Sequence, residues 1–78
     1  MSPTDKQLKR LYELIQINWR QSSLLYDFAP DPESVFPGCY LAIFGIPIDN
    51  SNYDLTKVYY IYADGHFLDE DDFLGDPQ

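Results

Sequence analysis

Lys57–Leu68, KVYYIYADGHFL, is the stretch on which the fold turns. Its first half is rich in β-branched and aromatic residues, which favour a pleated, half-buried surface. Asp64-Gly65 then supplies the chemistry of a hairpin turn. The stretch predicts a strand over 57–63 and an antiparallel return over 66–68. Upstream, Cys39–Asp49 reads CYLAIFGIPID, a nearly continuous apolar run. It predicts a buried strand over 39–47, ended or placed at an edge by Pro47. Turn residues follow in DNSNYDLT, 49–56.

The chain opens with helix signals. Ser2 is a candidate N-cap with Pro3 at the first helical position and Asp5 three residues after the cap, while TDKQ, 4–7, offers a second capping box. Leu8, Leu11, Tyr12, Ile15 and Trp19 recur at helical spacing, with Lys6, Lys9, Arg10, Glu13, Gln16 and Arg20 opposite. A helix over about 3–22 is expected, its stripe facing the core and Trp19 acting as a core plug. Ile17 falls on the polar side. Between helix and sheet, LLYDFAPDPESVFPG, 24–38, holds three prolines, so an irregular segment is expected there. Leu24, Leu25, Tyr26, Phe28, Val35 and Phe36 make it an ordered loop lying against the core rather than a linker.

These elements predict a single α+β domain over 1–78, an N-terminal amphipathic helix packed on a three-stranded antiparallel β-meander. The sheet occupies 39–68, and 69–78 is an acidic C-terminal segment. Alternation puts Leu41 and Ile43 on one face and Tyr40, Phe44 and Ile46 on the other; Val58, Tyr60 and Tyr62 likewise oppose Tyr59 and Ile61. Both faces are apolar, and one helix covers one face. Either 24–38 covers the second face, or a partner or second copy does.

The formal charge is −8, and it is unevenly spread. Residues 1–20 carry four bases against two acids, +2; residues 21–78 carry Lys57 against eleven acids, −10. Such a field repels nucleic acid and anionic membrane and attracts basic partners. Direct nucleic-acid binding through stacked aromatics needs a basic surround, so neither it nor membrane binding is expected. MSPTDKQLKR contains no apolar signal core, and no apolar run approaches the roughly 20 residues of a membrane span. With the lone Cys39 excluding a disulfide framework, a cytoplasmic protein is expected.

Chemical motifs are sparse. The loop starting at Asp49 has Asp54 where an EF-hand needs glycine and Tyr60 where it needs glutamate. The contiguous acids Asp69, Glu70, Asp71 and Asp72 diverge if extended and cannot enclose one ion. His66 with Asp64 is the one base–orienter pair, and a turn histidine is usually a locally bonded, solvated residue. Cys39 opens a buried strand, where a thiol is inert. No phosphate loop, nucleophile elbow or zinc helix is present. No cofactor, metal or catalytic role is expected.

The expected function is that of a small acidic protein–protein interaction module, an adaptor, assembly factor or inhibitor docking on a basic surface of a larger macromolecule, in its sharpest form as a nucleic-acid mimic. Tyr59, Tyr60, Tyr62 and Phe67 would supply desolvated contacts, and Asp64, Asp69, Glu70, Asp71 and Asp72 the charge. The alternative is a structural subunit, a homodimer or larger homo-oligomer formed through the aromatic sheet face. Divalent cations test the acid cluster. Millimolar Ca²⁺ or Mg²⁺ should leave the melting temperature unchanged in the wild type and in Asp69→Asn, Asp72→Asn alike. An ordered site at a hundredfold ligand excess would instead add about 2.7 kcal/mol.

Overall fold

A computed structural model describes residues 2–33 and 37–69. One helix, α1 (Asp5–Trp19), packs on a four-stranded antiparallel sheet of β1 (Leu24–Pro30), β2 (Tyr40–Pro47), β3 (Tyr53–Ile61) and β4 (Phe67–Asp69), ordered as in the chain. The α+β class is as expected, with one strand more than the expected three.

The extra strand comes from the segment expected to be a loop. Leu24–Pro30 pairs with β2 from Leu24↔Gly45 to Pro30↔Tyr40. Proline does not forbid this: β1 is an edge strand and Pro30 is its last residue, so a missing N–H costs little. Placed in the plane of the sheet, this part of 24–38 covers neither face. Residues 34–36, with Val35 and Phe36, lie outside the described residues.

The helix is shorter than the expected 3–22. Its N-cap is Thr4, whose hydroxyl accepts from Gln7 N at 3.1 Å while Gln7 Oε1 accepts from Thr4 N at 2.8 Å. The second box, not Ser2, is therefore the start signal. At the other end Ser23 N donates to Asn18 O (3.0 Å) and Ser22 N to Trp19 O (2.9 Å), a Schellman closure that holds Ser22 at φ 63°.

The buried stripe of α1 is Gln7, Leu11, Leu14 and Asn18, against Ala42, Phe44, Tyr59 and Ile61 of the sheet. Ile15, Leu25, Phe28 and Phe67 pack around it. Trp19 is no core plug: it is 66% exposed, and Tyr12 is 60% exposed. The stripe is rotated by about one residue from the apolar spacing because its two ends are polar. Gln7 Nε2 donates to Ile61 O (3.0 Å) and Gly38 O (2.6 Å); Asn18 Nδ2 donates to Leu14 O (2.8 Å) and Tyr59 Oη (3.0 Å). Each buried amide group is thus satisfied, and burial costs little.

Two bulges bracket Phe44. β1 shifts register between Leu25 and Asp27, and β3 skips Thr56 between Lys57 and Leu55. Bulges raise local twist, and both act where Phe44 is wholly buried beneath the helix. Gly45 permits the second one: a Cβ there would stand 3.0 Å from Asp54 O and 3.2 Å from Leu55 Cα. Asp49 sets the β2–β3 turn by accepting from Ser51 N, Asn52 N and Asn52 Nδ2, each at 3.0 Å. The Asp64-Gly65 hairpin forms as expected. Gly65 N donates to Tyr62 O and Tyr62 N to His66 O, with Gly65 at φ 94°. This is a type I turn closed by a glycine bulge.

Two substitutions test this account. Gln7→Ala strands Ile61 O and Gly38 O and removes half the capping box, so chemical denaturation should show a loss of about 2–4 kcal/mol. Ser22→Gly relieves the left-handed conformation and should raise stability by about 0.5–1 kcal/mol.

Candidate functional site

Strand register sorts the sheet into two faces. Tyr40, Ala42, Phe44, Lys57, Tyr59, Ile61, Phe67 and Asp69 share the helix side. Asp27 and Ala29 of β1, Leu41 and Ile43 of β2, Val58 and Tyr60 of β3, and Leu68 of β4 share the other. No described helix or strand packs on this second face, and Leu41, Ile43, Val58, Tyr60 and Leu68 are only half-buried. The molecule is 22 Å across its shortest axis. That is the thickness of a sheet and one helix, since each packed layer adds about 10 Å.

Among the described residues, those expected to bind a partner do not share one face of the sheet. Tyr59 is 6% exposed, accepts from Asn18 Nδ2 and meets Phe44 and Phe67 edge-on. Phe67 lies half-buried on the core, with the Arg10 guanidinium 5.1 Å from its ring centre. Asp69 faces the helix side, its Oδ2 3.3 Å from Lys57 Nζ. Asp64 sits in the hairpin turn, bonded to His66. Alternation along β3 and β4 is the reason: Tyr59, Phe67 and Asp69 point one way and Tyr60 the other. Glu70, Asp71 and Asp72 lie outside the described residues.

Tyr60 and Tyr62 are the members near the second face. Tyr62 follows β3 half-buried, its ring stacked 4.3 Å from that of His66. Burial first, then the neighbouring Cys39, Tyr60 and Asp31, push its hydroxyl above the ordinary value of 10.0. Two acids missed by the sequence reading join it. Asp27 projects exposed from β1 opposite Ile43, and Asp31, just beyond Pro30, is close enough to act on Tyr62. The alternation of LLYDFAP could have revealed Asp27, had its prolines not argued for a loop.

What the arrangement offers is a half-buried apolar strip with tyrosine on it and carboxylates along one side. Among the described residues no group of three or more His, Cys, Asp or Glu is placed to hold a metal ion, and no buried side-chain polar atom lacks a partner. A separate apolar cleft of about 450 Å³ lies at the far end of the helix, between Trp19, Ser22, Leu24, Ile46 and Pro47. No described helix is long and apolar enough to cross a membrane. Comparison with protein-family models, curated proteins and solved structures returns no significant match.

Tyr62 gives a test of this end of the face. Its folded pKa lies above its unfolded one, so its stabilising contribution is fully present below about pH 10 and is lost as pH rises through the folded value. Spectrophotometric titration should show a late-ionising component that Tyr62→Phe reduces. A late component left unchanged by Tyr62→Phe would contradict the described surroundings of Tyr62.

Proposed function

We propose that the protein is a small protein–protein interaction module, an adaptor, assembly factor or inhibitor, whose second sheet face docks on a basic surface of a larger macromolecule. One observation carries the reading: an apolar strip that no described element covers, flanked by Asp27 and Asp31, on the side of the sheet away from the basic helix. Apolar patches of this kind on small monomers commonly serve as interfaces. The −10 carried by residues 21–78 selects a basic partner and speeds encounter with it. In its sharper form the partner's basic surface is a nucleic-acid groove, and the carboxylates stand in for phosphates.

Within this reading the roles divide. Asp27 and Asp31 act on association, as rim charges do, whereas Leu41, Ile43, Val58 and Tyr60 supply the contacts that lose water and set dissociation. Lys57 and Asp69 belong to the helix side and contribute to stability instead.

The test is kinetic. A partner retained at low salt and released at high salt is immobilised, and rates are measured across a salt series. Asp27→Asn with Asp31→Asn should slow association and flatten its salt dependence at unchanged melting temperature. Tyr60→Ala should speed dissociation about fivefold or more. Wild-type kinetics from the double variant at low salt would overturn the acidic-face reading. A stable dimer of the isolated protein by light scattering, broken by Tyr60→Ala, would transfer the face to self-association. Displacement of the partner's bound DNA or RNA would establish the mimic.

A further inference from the structure

The first turns of α1 meet the β3–β4 hairpin. Lys6, Lys9, Arg10, Glu13, Asp64, Gly65 and His66 line a cleft there of about 390 Å³. The junction is close-packed at its base. A Cβ on Gly65 would stand 3.1 Å from Lys6 Cβ, Arg10 Nε donates to Gly65 O at 2.9 Å, and Thr4 Oγ1 donates to Ala63 O at 2.8 Å. These contacts tie the helix backbone to the turn.

The carboxylates of this cleft are already engaged. Glu13 Oε1 accepts from Arg10 Nη1 at 2.8 Å. Asp64 Oδ1 accepts from the backbone N–H of His66 at 3.0 Å and bonds the Nδ1 of its ring. Those two bonds to His66 hold the Asp64 carboxyl below its ordinary value of 3.8, so it is ionised at neutral pH and acts as acceptor. With Nδ1 bonded to Asp64, the Nε2 edge of the His66 ring is turned away from that carboxylate. The imidazole is also held in place by its stack on Tyr62. Lys6 and Lys9, one helical turn apart, have no hydrogen bond or ion pair with any described residue. Two exposed lysines without an acidic partner among the described residues thus stand beside a histidine held by Asp64 and Tyr62.

We infer that this cleft is a binding site for a phosphate-sized dianion, a phosphomonoester or free phosphate, held by the ammonium groups of Lys6 and Lys9 and flanked by the His66 imidazole. Charge-assisted donors from two side chains suit a tetrahedral oxyanion, which presents acceptors in several directions. The Arg10 guanidinium, fixed on Phe67 and Glu13, adds positive potential without having to move. The groups facing His66 are Asp64 and Tyr62 from the hairpin and Lys6, Lys9, Arg10 and Glu13 from α1. This site is independent of the sheet-face reading, and neither stands or falls with the other.

The experiment is an amide and imidazole chemical-shift titration of the intact chain at constant ionic strength, with chloride as reference. Inorganic phosphate and O-phosphoserine, run side by side, distinguish a free anion from a phosphorylated side chain as the source; saturable binding of either supports the site. Shifts should concentrate at Lys6, Lys9, Gly65 and His66, and Lys6→Gln with Lys9→Gln should weaken binding about tenfold or more. Sulfate, a tetrahedral dianion of fixed charge, should shift the same residues and compete with phosphate for them. Non-saturable shifts equal to those of chloride, or equal affinity in the double lysine variant, would overturn the assignment. Because Lys6 and Lys9 are exposed, the double variant leaves the core untouched.

Discussion

Everything in this small fold hangs on the placement of one buried amide. Gln7 accepts from the N-cap backbone through Oε1 and donates to Ile61 O and Gly38 O through Nε2. The same side chain starts the helix, fixes its axial position on β3 and ties down the approach to β2. A hydrophobic residue there would bury as much surface and specify none of this, because apolar contact is non-directional whereas a hydrogen bond is not. Thr4 extends the clamp by capping the helix with one lone pair and donating to Ala63 O. Asn18 does the equivalent at the far end, against Tyr59. Apolar packing supplies the driving force, and three polar side chains supply the geometry.

That division explains what the sequence could and could not reveal. The sheet was legible wherever burial and chain period agree: β2 and the Asp64-Gly65 hairpin follow directly from CYLAIFGIPID and YYIYADGHF. The helix was legible as a helix but not in its facing. Tyr12 and Trp19 look like core by hydrophobicity, and Gln7 and Asn18 look like surface, yet the partners that reverse those assignments lie about forty or more residues away in β3. β1 was hidden because proline statistics describe strand interiors, while Pro30 terminates an edge. The candidate site inherited both errors. Placing Tyr59 with Tyr60 ignores the alternation that sends one to the core, and taking Leu24–Pro30 out of the sheet removes Asp27 from its surface.

The finished molecule is electrically two-sided. The helix layer carries Lys6, Lys9, Arg10 and Arg20, and the sheet contributes Lys57 beside them on the same side. Asp27 and Asp31 lie towards the other face. Net charge of this sign keeps a small protein apart from its copies. A two-sided distribution additionally orients it as it approaches a charged surface.

The meander order of the sheet also shapes how the chain reaches this state. Each strand pairs with its neighbour in sequence, so every ladder closes a short loop. The helix anchors are of another kind: Gln7 to Ile61 and Thr4 to Ala63 span 54 and 59 residues. Contacts that close long loops carry the larger entropic cost and form after local ones. The sheet is thus the template and helix docking the closing event. The residues that position α1 then act chiefly on how long the native state lasts, and the hairpin turns on how quickly it is found.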